Sequence, residues 1–285
     1  MKYLVLGAGG MAGHLITNYL IEQGEEVEGL EMRELSYCKT IVMDVTNFHD
    51  LEKLVMNGQY DCIINCIGIL NQNAEKRKDL AVLLNSYLPH FLVKITENCK
   101  TKVIQMSTDC VFSGRKGNYT ENDFPDGETY YDRTKALGEI NDKKNLTFRN
   151  SIIGPDINQH GIGLFNWFMK QTGEINGFEK SVWTGVTTLT LAKAMHKASY
   201  ENLTGLYNLV NNHKTNKYEM LLLFNHFTNL KLTINKVDGI IHDKSLKRIR
   251  NDFSFIVPSY QDMIEEMVLW TRNHKEMYPH YFIDI

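Results

Sequence analysis

The stretch Lys2-Tyr3-Leu4-Val5-Leu6-Gly7-Ala8-Gly9-Gly10-Met11-Ala12-Gly13 decides the fold. Tyr3–Leu6 is an unbroken apolar run ending at a glycine, the signature of a strand covered on both faces. From Met11 to Gln23 the residues Met11, Leu15, Ile16, Tyr19 and Leu20 recur at helical spacing, which predicts a helix. The glycines lie between the two. Gly7, Gly9 and Ala12 satisfy G-x-G-x-x-A, while Gly7, Gly10 and Gly13 satisfy G-x-x-G-x-x-G. Either spacing serves the same physics. Positions without a side chain permit a tight turn and let backbone N–H groups approach a pyrophosphate, and the helix N-terminus adds positive potential. Gly13 lets the helix lie close to the strand. A ligand-free glycine turn is the plainer alternative, but the strand before it and the helix after it favour nucleotide binding. Gly7, Gly9, Gly10, Met11 and Gly13 are therefore cofactor candidates.

Outward from this unit the pattern repeats. Strands are predicted at Glu25–Glu31, Thr40–Asp44, Asp61–Ile69, Val103–Met106 and Leu146–Ile153, with helices at about 46–56, 76–98 and 131–143. This alternation implies an α/β fold, a doubly wound parallel sheet of Rossmann type. The second half is more mixed: helices at Thr187–Tyr200, Tyr218–Phe227 and Tyr260–Arg272 and a strand at Gly205–Val210 predict a smaller C-terminal mixed α/β lobe. The expected division is a dinucleotide domain of 1–152 plus about 187–210, and a substrate lobe of about 153–186 plus 211–285.

Composition narrows the class. The chain has 285 residues, 43% hydrophobic and 23% charged, enough for a sizeable core. A net charge of −3 provides no strong field for nucleic acid or anionic lipid, so neither partner is expected. No run of about 18 apolar residues predicts a membrane span. The apolar run after Lys2 is too short for a secretory leader. Five cysteines without C-x-x-C spacing argue against a disulfide framework and a zinc site and point to a reduced, cytoplasmic setting. The 10 histidines form no H-E-x-x-H cluster, so no metal is expected.

An acid is expected near the end of the second strand, to hold the adenosine ribose. Glu31 meets that expectation and favours NAD(H). Arg33, two residues on, can pair with a 2′-phosphate and favours NADP(H). The cofactor preference is therefore not readable. Asp44, followed by Val45, ends the third strand and can bond the adenine amine, or else cap the next helix.

Tyr131 and Lys135 stand four apart in a helical stretch, which stacks them on one face. A nearby ammonium favours a phenolate and lowers the phenol's proton affinity toward neutrality. Tyr131 is the only one of 14 tyrosines with lysine at this spacing. A third member is expected at the end of a central strand, where Val103–Met106 runs into Ser107-Thr108-Asp109; a hydroxyl there can hold a carbonyl oxygen.

The set of motifs resembles the extended short-chain dehydrogenase/reductases, and within them the dTDP-4-dehydrorhamnose reductase group. The matching pieces run in family order: GAGGMAG (7–13), Asp44-Val45, DCIINCIG (61–68), Asn85 in LLNSYLP, STDCVFSG (107–114), YYDRTKALGE (130–139), FRNS (148–151) and GLYNLV (205–210). The resemblance implies that Asn65, Cys66, Ile67 and Gly68 line the cofactor. It makes Thr108 the hydroxyl partner of Tyr131 and Lys135, with Ser107 its substitute, and turns Asp109 and Cys110 toward the sugar. Asn150 and Ser151 would lie near the nicotinamide. Two departures stand out: Cys110 replaces an aromatic residue after STD, and Ile152 replaces tryptophan after Arg149-Asn150-Ser151. Trp183 is expected either to restore an aromatic wall or to pack in the core.

The implied activity is NAD(P)H-dependent reduction of a nucleotide-activated 4-keto-6-deoxy sugar, making a deoxysugar nucleotide for surface polysaccharide. A nucleotide-sugar epimerase with tightly held NAD and a catalytically silent nucleotide-binding subunit are the alternatives. The expected partner is a nucleotide-sugar substrate; a homodimer is left open. Trp183, Thr184, Lys244 and Arg250 are the substrate candidates. The last two lie in HDKSLKRIRND, a basic segment that can meet a diphosphate or form a solvated charged helix.

Overall fold

The computed structural model describes all residues except 202, 240 and 282–285, which fall within the expected domains and lie outside the described residues. The strands are β1 (Lys2–Leu6), β2 (Glu26–Glu31), β3 (Lys39–Val42), β4 (Cys62–Asn65), β5 (Lys102–Met106), β6 (Leu146–Arg149), β7 (Ser151–Ile153), β8 (Glu174–Phe178), β9 (Ser181–Trp183), β10 (Gly185–Thr187), β11 (Gly205–Asn208), β12 (Thr215–Asn216), β13 (Thr233–Val237) and β14 (His242–Asp243). Seven of them form one parallel sheet in the order β11-β6-β5-β4-β1-β2-β3. The order reverses about β1, which places a crevice outside the carboxyl ends of β1 and β4. The remaining strands form small pairings: β7 with β10, β8 with β13, and β9 between β12 and β14.

The helices are α1 (Met11–Glu22), α2 (Phe48–Gly58), α3 (Asn71–Lys76), α4 (Lys78–Ala81), α5 (Leu88–Ile95), α6 (Tyr130–Leu137), α7 (Leu164–Phe168), α8 (Thr188–Tyr200), α9 (Lys217–Thr228) and α10 (Tyr260–Asn273). They cover both faces of the sheet. Along β1 the side chains alternate: Tyr3 and Val5 join a core with Leu15, Ile16 and Met195, while Leu4 and Leu6 join another with Leu51, Val55 and Leu88. Both faces are buried, so β1 carries no polar residue after Lys2. Among the described residues no helix is long and apolar enough to cross a membrane.

Four sequence expectations are corrected. The 76–98 helix is broken into α3, α4, a π-turn at Val82–Tyr87, and α5. Pro89, which lacks an N–H, sits in the first turn of α5, where none is needed. The strand at 61–69 ends at Asn65, because Asn65 Oδ1 takes the Ile67 N–H at 3.2 Å and turns the chain outward. The strand at 146–153 divides: β6 stays in the main sheet and β7 leaves it to pair with β10. The 131–143 helix stops at Leu137. A Cβ on Gly138 would come within 1.8 Å of the Asn85 carbonyl, so the chain passes the π-turn at a distance only glycine allows.

Candidate active site

The carboxyl ends of β1, β4 and β5 border a cleft of about 530 Å³, and α6 closes one side of it. β1 leads into the glycine turn. Gly7 takes a positive φ of 74°, and its carbonyl accepts the Gly10 N–H at 3.0 Å. A Cβ on Gly13 would lie 2.0 Å from that same carbonyl, so the approach of α1 to the turn requires glycine. α1 starts at Gly10 with no side-chain cap and no acid in its first turn, and its N-terminal amides are not satisfied within the helix. Gly10 and Met11 line the cleft directly.

Glu31 stands at the end of β2, where the sequence predicts it. Its Oε2 accepts the Gly9 N–H at 2.9 Å and its Oε1 accepts the Met32 N–H at 3.0 Å. The carboxylate is thus fixed on the middle of the turn. Arg33 is exposed and opens instead onto a neighbouring groove with Asn18, Ser36, Tyr37 and the segment around Met277. Asp44 does not cap a helix: Asn47 caps α2, while Asp44 Oδ1 holds Thr46 N–H and hydroxyl at 2.9 and 2.8 Å. Val45 is buried in the core beneath it.

From β4, Cys66, Ile67 and Gly68 line the cleft, whereas the Asn65 side chain points into the sheet and donates to Gln105 Oε1 at 2.8 Å. Burial pushes the Cys66 thiol up to about 12. Asn85, in the π-turn, accepts the Ile69 N–H at 2.8 Å and donates to Ile69 O and the Thr134 hydroxyl, both at 3.0 Å. It couples the Gly68 segment to α6. The sequence shows Asn85 as a motif residue but not this role, because the π-turn that aims it is not a local pattern.

β5 delivers Ser107, Thr108, Asp109 and Cys110. The Ser107 hydroxyl donates to Glu139 Oε1 at 2.7 Å, so it is not a substitute for Thr108. Thr108 lies near enough to the Tyr131 phenol to act on it, donates to Asp109 Oδ1 at 3.2 Å, and caps the following turn by accepting the Cys110 N–H at 3.1 Å. Burial raises the Asp109 carboxyl, with Lys244 pulling it the other way. Burial pushes the Cys110 thiol up to about 12, aided by Asp109.

Tyr131 and Lys135 lie on α6, whose start is fixed by a capping box between Thr129 and Asp132. Both line the cleft and both are buried. Burial raises the Tyr131 phenol well above its ordinary value, with Cys110 adding to this and the Thr108 hydroxyl opposing it. The expected lowering by Lys135 is not what sets this phenol. The ammonium is instead turned to the end of β5, donating to Met106 O at 2.6 Å. Burial brings Lys135 down to about 8, with Glu139 opposing. Glu139 is itself held by Arg149 through bonds of 2.8 and 2.5 Å, a buried pair beneath the cleft.

The far wall comes from the second half. Asn150 and Ser151 line the cleft, and Trp183 reaches it from β9, its Nε1 donating to Ser151 Oγ at 2.9 Å. Asn150 Oδ1 is buried without a hydrogen-bond partner. Three sequence candidates lie elsewhere. The Thr184 hydroxyl is buried and accepts the Leu246 N–H at 2.8 Å. Lys244 does not line the cleft and lies 3.8 Å from Asp132. Arg250 is spent at the opposite end of the sheet: it donates to Thr204 O and Leu206 O at the start of β11 and pairs with Asp252. The 243–250 segment is extended and fastened to Tyr119, not helical. Lys217, at the start of α9, lines the cleft and carries no sequence signal that singles it out.

The residues present fit a dinucleotide. The uncapped start of α1, the close approach at Gly13, the fixed Glu31 carboxylate and the orphaned Asn150 oxygen all answer to one. A family model, described as RmlD substrate binding domain, matches residues 1–251. The chain belongs to this family. Similar proteins include the probable low-salt glycan biosynthesis reductase Agl14 of Haloferax volcanii, 30% identical over 143 residues, which are 49% of this chain and 48% of that protein. A dTDP-4-dehydrorhamnose reductase of Streptomyces griseus is 30% identical over 140 residues, 48% of this chain and 43% of its own length. The matched stretch thus spans about half the length of these relatives. Among solved structures, the dTDP-4-dehydrorhamnose reductase from Bacillus anthracis in complex with NADP superposes with a TM-score of 0.79 at 20% identity, covering 95% of this chain and 99% of that one. At that identity the RmlD-type fold is what is shared.

Proposed function

We propose that the chain is an NAD(P)H-dependent reductase of a nucleotide-activated 4-keto-6-deoxy sugar. The observation that carries this reading is the meeting of Thr108, Tyr131 and Lys135 in the same cleft as the glycine turn. The family and the reductase names of the relatives support it. In this reading residues 1–152 with 187–210 hold the dinucleotide, and 153–186 with 211–285 hold the sugar nucleotide.

A bound reduced nicotinamide would supply hydride to the sugar carbonyl. Gly10, Met11 and the α1 amides would hold its pyrophosphate, and Glu31 would accept from the adenosine ribose. Thr108 orients the carbonyl oxygen. Tyr131, kept protonated by burial, gives that oxygen its proton, which suits it to the acid's role in reduction. Lys135, its ammonium turned to the end of β5 at Met106 O, keeps a positive charge in the cleft and would hold the nicotinamide ribose. The cleft continues past Ile162, Leu164 and Lys217 into an apolar groove of about 590 Å³ with Trp167 and Phe178. The groove suits a nucleobase, and Lys217 between the two spaces suits a diphosphate.

The test mixes purified protein with NADH or NADPH and a panel of 4-keto-6-deoxy sugar nucleotides. Stoichiometric loss of the reduced-nicotinamide absorbance, with a 4-hydroxy product by NMR, is expected. Unchanged absorbance across dTDP-, UDP- and GDP-linked substrates overturns the reading, and epimerised product without cofactor consumption replaces it with the epimerase.

A further inference from the structure

One cation of the basic segment reaches α6 beside the reacting residues. Lys244 is not among the residues lining the cleft. Its Nζ lies 3.8 Å from Asp132 Oδ2, and the two side chains are only 14% and 8% exposed. The same ammonium acts on the Asp109 carboxyl and the Cys110 thiol. Asp109 directly follows Thr108, and Asp132 directly follows Tyr131. Each hydroxyl of the reacting pair thus has an acid as its next residue, and one ammonium serves both acids.

The segment that carries Lys244 is firmly tied. Ser245 O accepts the Tyr119 N–H and Tyr119 O accepts the Lys247 N–H, both at 2.8 Å. Ser245 Oγ accepts the Asn118 N–H at 2.8 Å, and the buried Thr184 hydroxyl accepts the Leu246 N–H at 2.8 Å. The adjacent Asp243 is occupied by Lys214, also at 2.8 Å. The carboxylate in contact with Lys244 is that of Asp132 on α6, and its charge also acts on Asp109 and the Cys110 thiol in the turn after β5.

We propose that Lys244 is a positioning residue. Its ammonium pairs with the Asp132 carboxylate and offsets the charge of Asp109, so holding the Tyr131 and Thr108 hydroxyls in register, and it binds no substrate phosphate. The catalytic half of this proposal rests on the reductase reading. The Asp109 and Asp132 carboxyls beside the phenol oppose the negative charge it must carry after giving up its proton, and a cation paired with Asp132 offsets that. Removing the cation leaves like charges in low dielectric, so one carboxyl takes up a proton and the phenolate is disfavoured.

The experiment compares Lys244→Met and Lys244→Arg, each alone and with Asp132→Asn, which keeps an acceptor for the capping box. In turnover, Lys244→Met is expected to lower kcat roughly tenfold or more at a KM within about twofold, with Lys244→Arg restoring most of the rate. Its pH profile should gain a protonation step at higher pH than the wild-type acid limb. A raised KM at unchanged kcat overturns the proposal in favour of phosphate binding. Urea unfolding supplies a readout that needs no substrate. Asp132→Asn should alter the unfolding constant at least about tenfold less in the Lys244→Met background than in the wild type, because the pair is already broken. An additive cycle overturns the bridge. A wild-type chain that reduces none of the panel overturns the reductase reading and the catalytic half with it, while the unfolding cycle still decides the bridge.

Discussion

The two halves of the chain furnish the cleft by different means. In the first half, β1, β4 and β5 end at one edge of a parallel sheet, and each hands its next few residues to the cleft: Gly10 and Met11, Cys66 to Gly68, Ser107 to Cys110. Topology alone brings them together. Apart from β11, the second half has only short strand pairings outside the main sheet, and what it brings to the cleft is set by single bonds, such as Trp183 to Ser151. The difference teaches that a parallel sheet converts local pattern into placement, whereas a strapped segment keeps its residue types but gets its directions from distant partners.

The harshest way to test the first half is to remove the phenol oxygen. Tyr131→Phe deletes the proton donor, while the ring stays packed against Ala74 and Ala81. In the reductase reading kcat should fall by about 10²–10⁴-fold. Reduced-nicotinamide affinity, followed by fluorescence titration, should stay within about threefold of the wild type. A loss of only a few-fold in kcat would remove Tyr131 from its role.

Less severe, but aimed at the same half, is Gly13→Ala. The added methyl would meet Gly7 O at 2.0 Å, so α1 must move off the turn. Overpacking of this kind costs about 1–3 kcal/mol. Dinucleotide affinity should fall at least roughly tenfold, since the amides that face the pyrophosphate move with the helix. Full affinity at unchanged stability would show that the turn is not the phosphate site.

How legible these residues are in the sequence follows the same divide. The β1–glycine–α1 unit, the Tyr131/Lys135 pair and the Ser107–Cys110 turn can be read because period-2 and period-3.6 patterns and glycine spacing are local. The rest is not local. Nothing near Lys135 shows that its ammonium turns to Met106 rather than to the phenol. The Ser107 and Thr108 hydroxyls are alike in sequence, and only the arrival of Glu139 separates them. The π-turn at Val82–Tyr87 looks like ordinary helix, and Lys217 looks like any surface lysine.

A pH series sharpens the reading of Lys135. Burial brings it from an ordinary 10.5 to about 8, so the native protein releases this proton first as pH rises. Below about pH 8 both folded and unfolded chains hold it. Between there and 10.5 the unfolded chain holds more protons, so this group makes stability rise with pH. Activity should do the opposite: once the ammonium is lost, kcat/KM should fall up to tenfold per pH unit. Urea melts and initial rates over pH 7–10 would show the two trends diverging, and Lys135→Met should lose this contribution to the stability slope. Parallel trends would mean that some other group governs the alkaline limb.

The mildest change probes the strapped half where sequence and structure part. HDKSLKRIRND offers several cations, and a reading by charge alone assigns Arg250 to the substrate along with Lys244. Arg250 instead serves the start of β11, bonded to Thr204 O at 2.7 Å and Leu206 O at 2.8 Å and lying over the Tyr207 ring. The start of a parallel strand is the wrong end of the sheet for a ligand. Arg250→Ala should therefore lower stability by about 1–2 kcal/mol in urea, through two lost carbonyl bonds and a partly exposed ion pair. KM and kcat should stay within about twofold, unlike the kcat loss expected at Lys244. A several-fold rise in KM would return Arg250 to the substrate and would mean that position along the sheet does not separate the structural cations of this segment from the functional one.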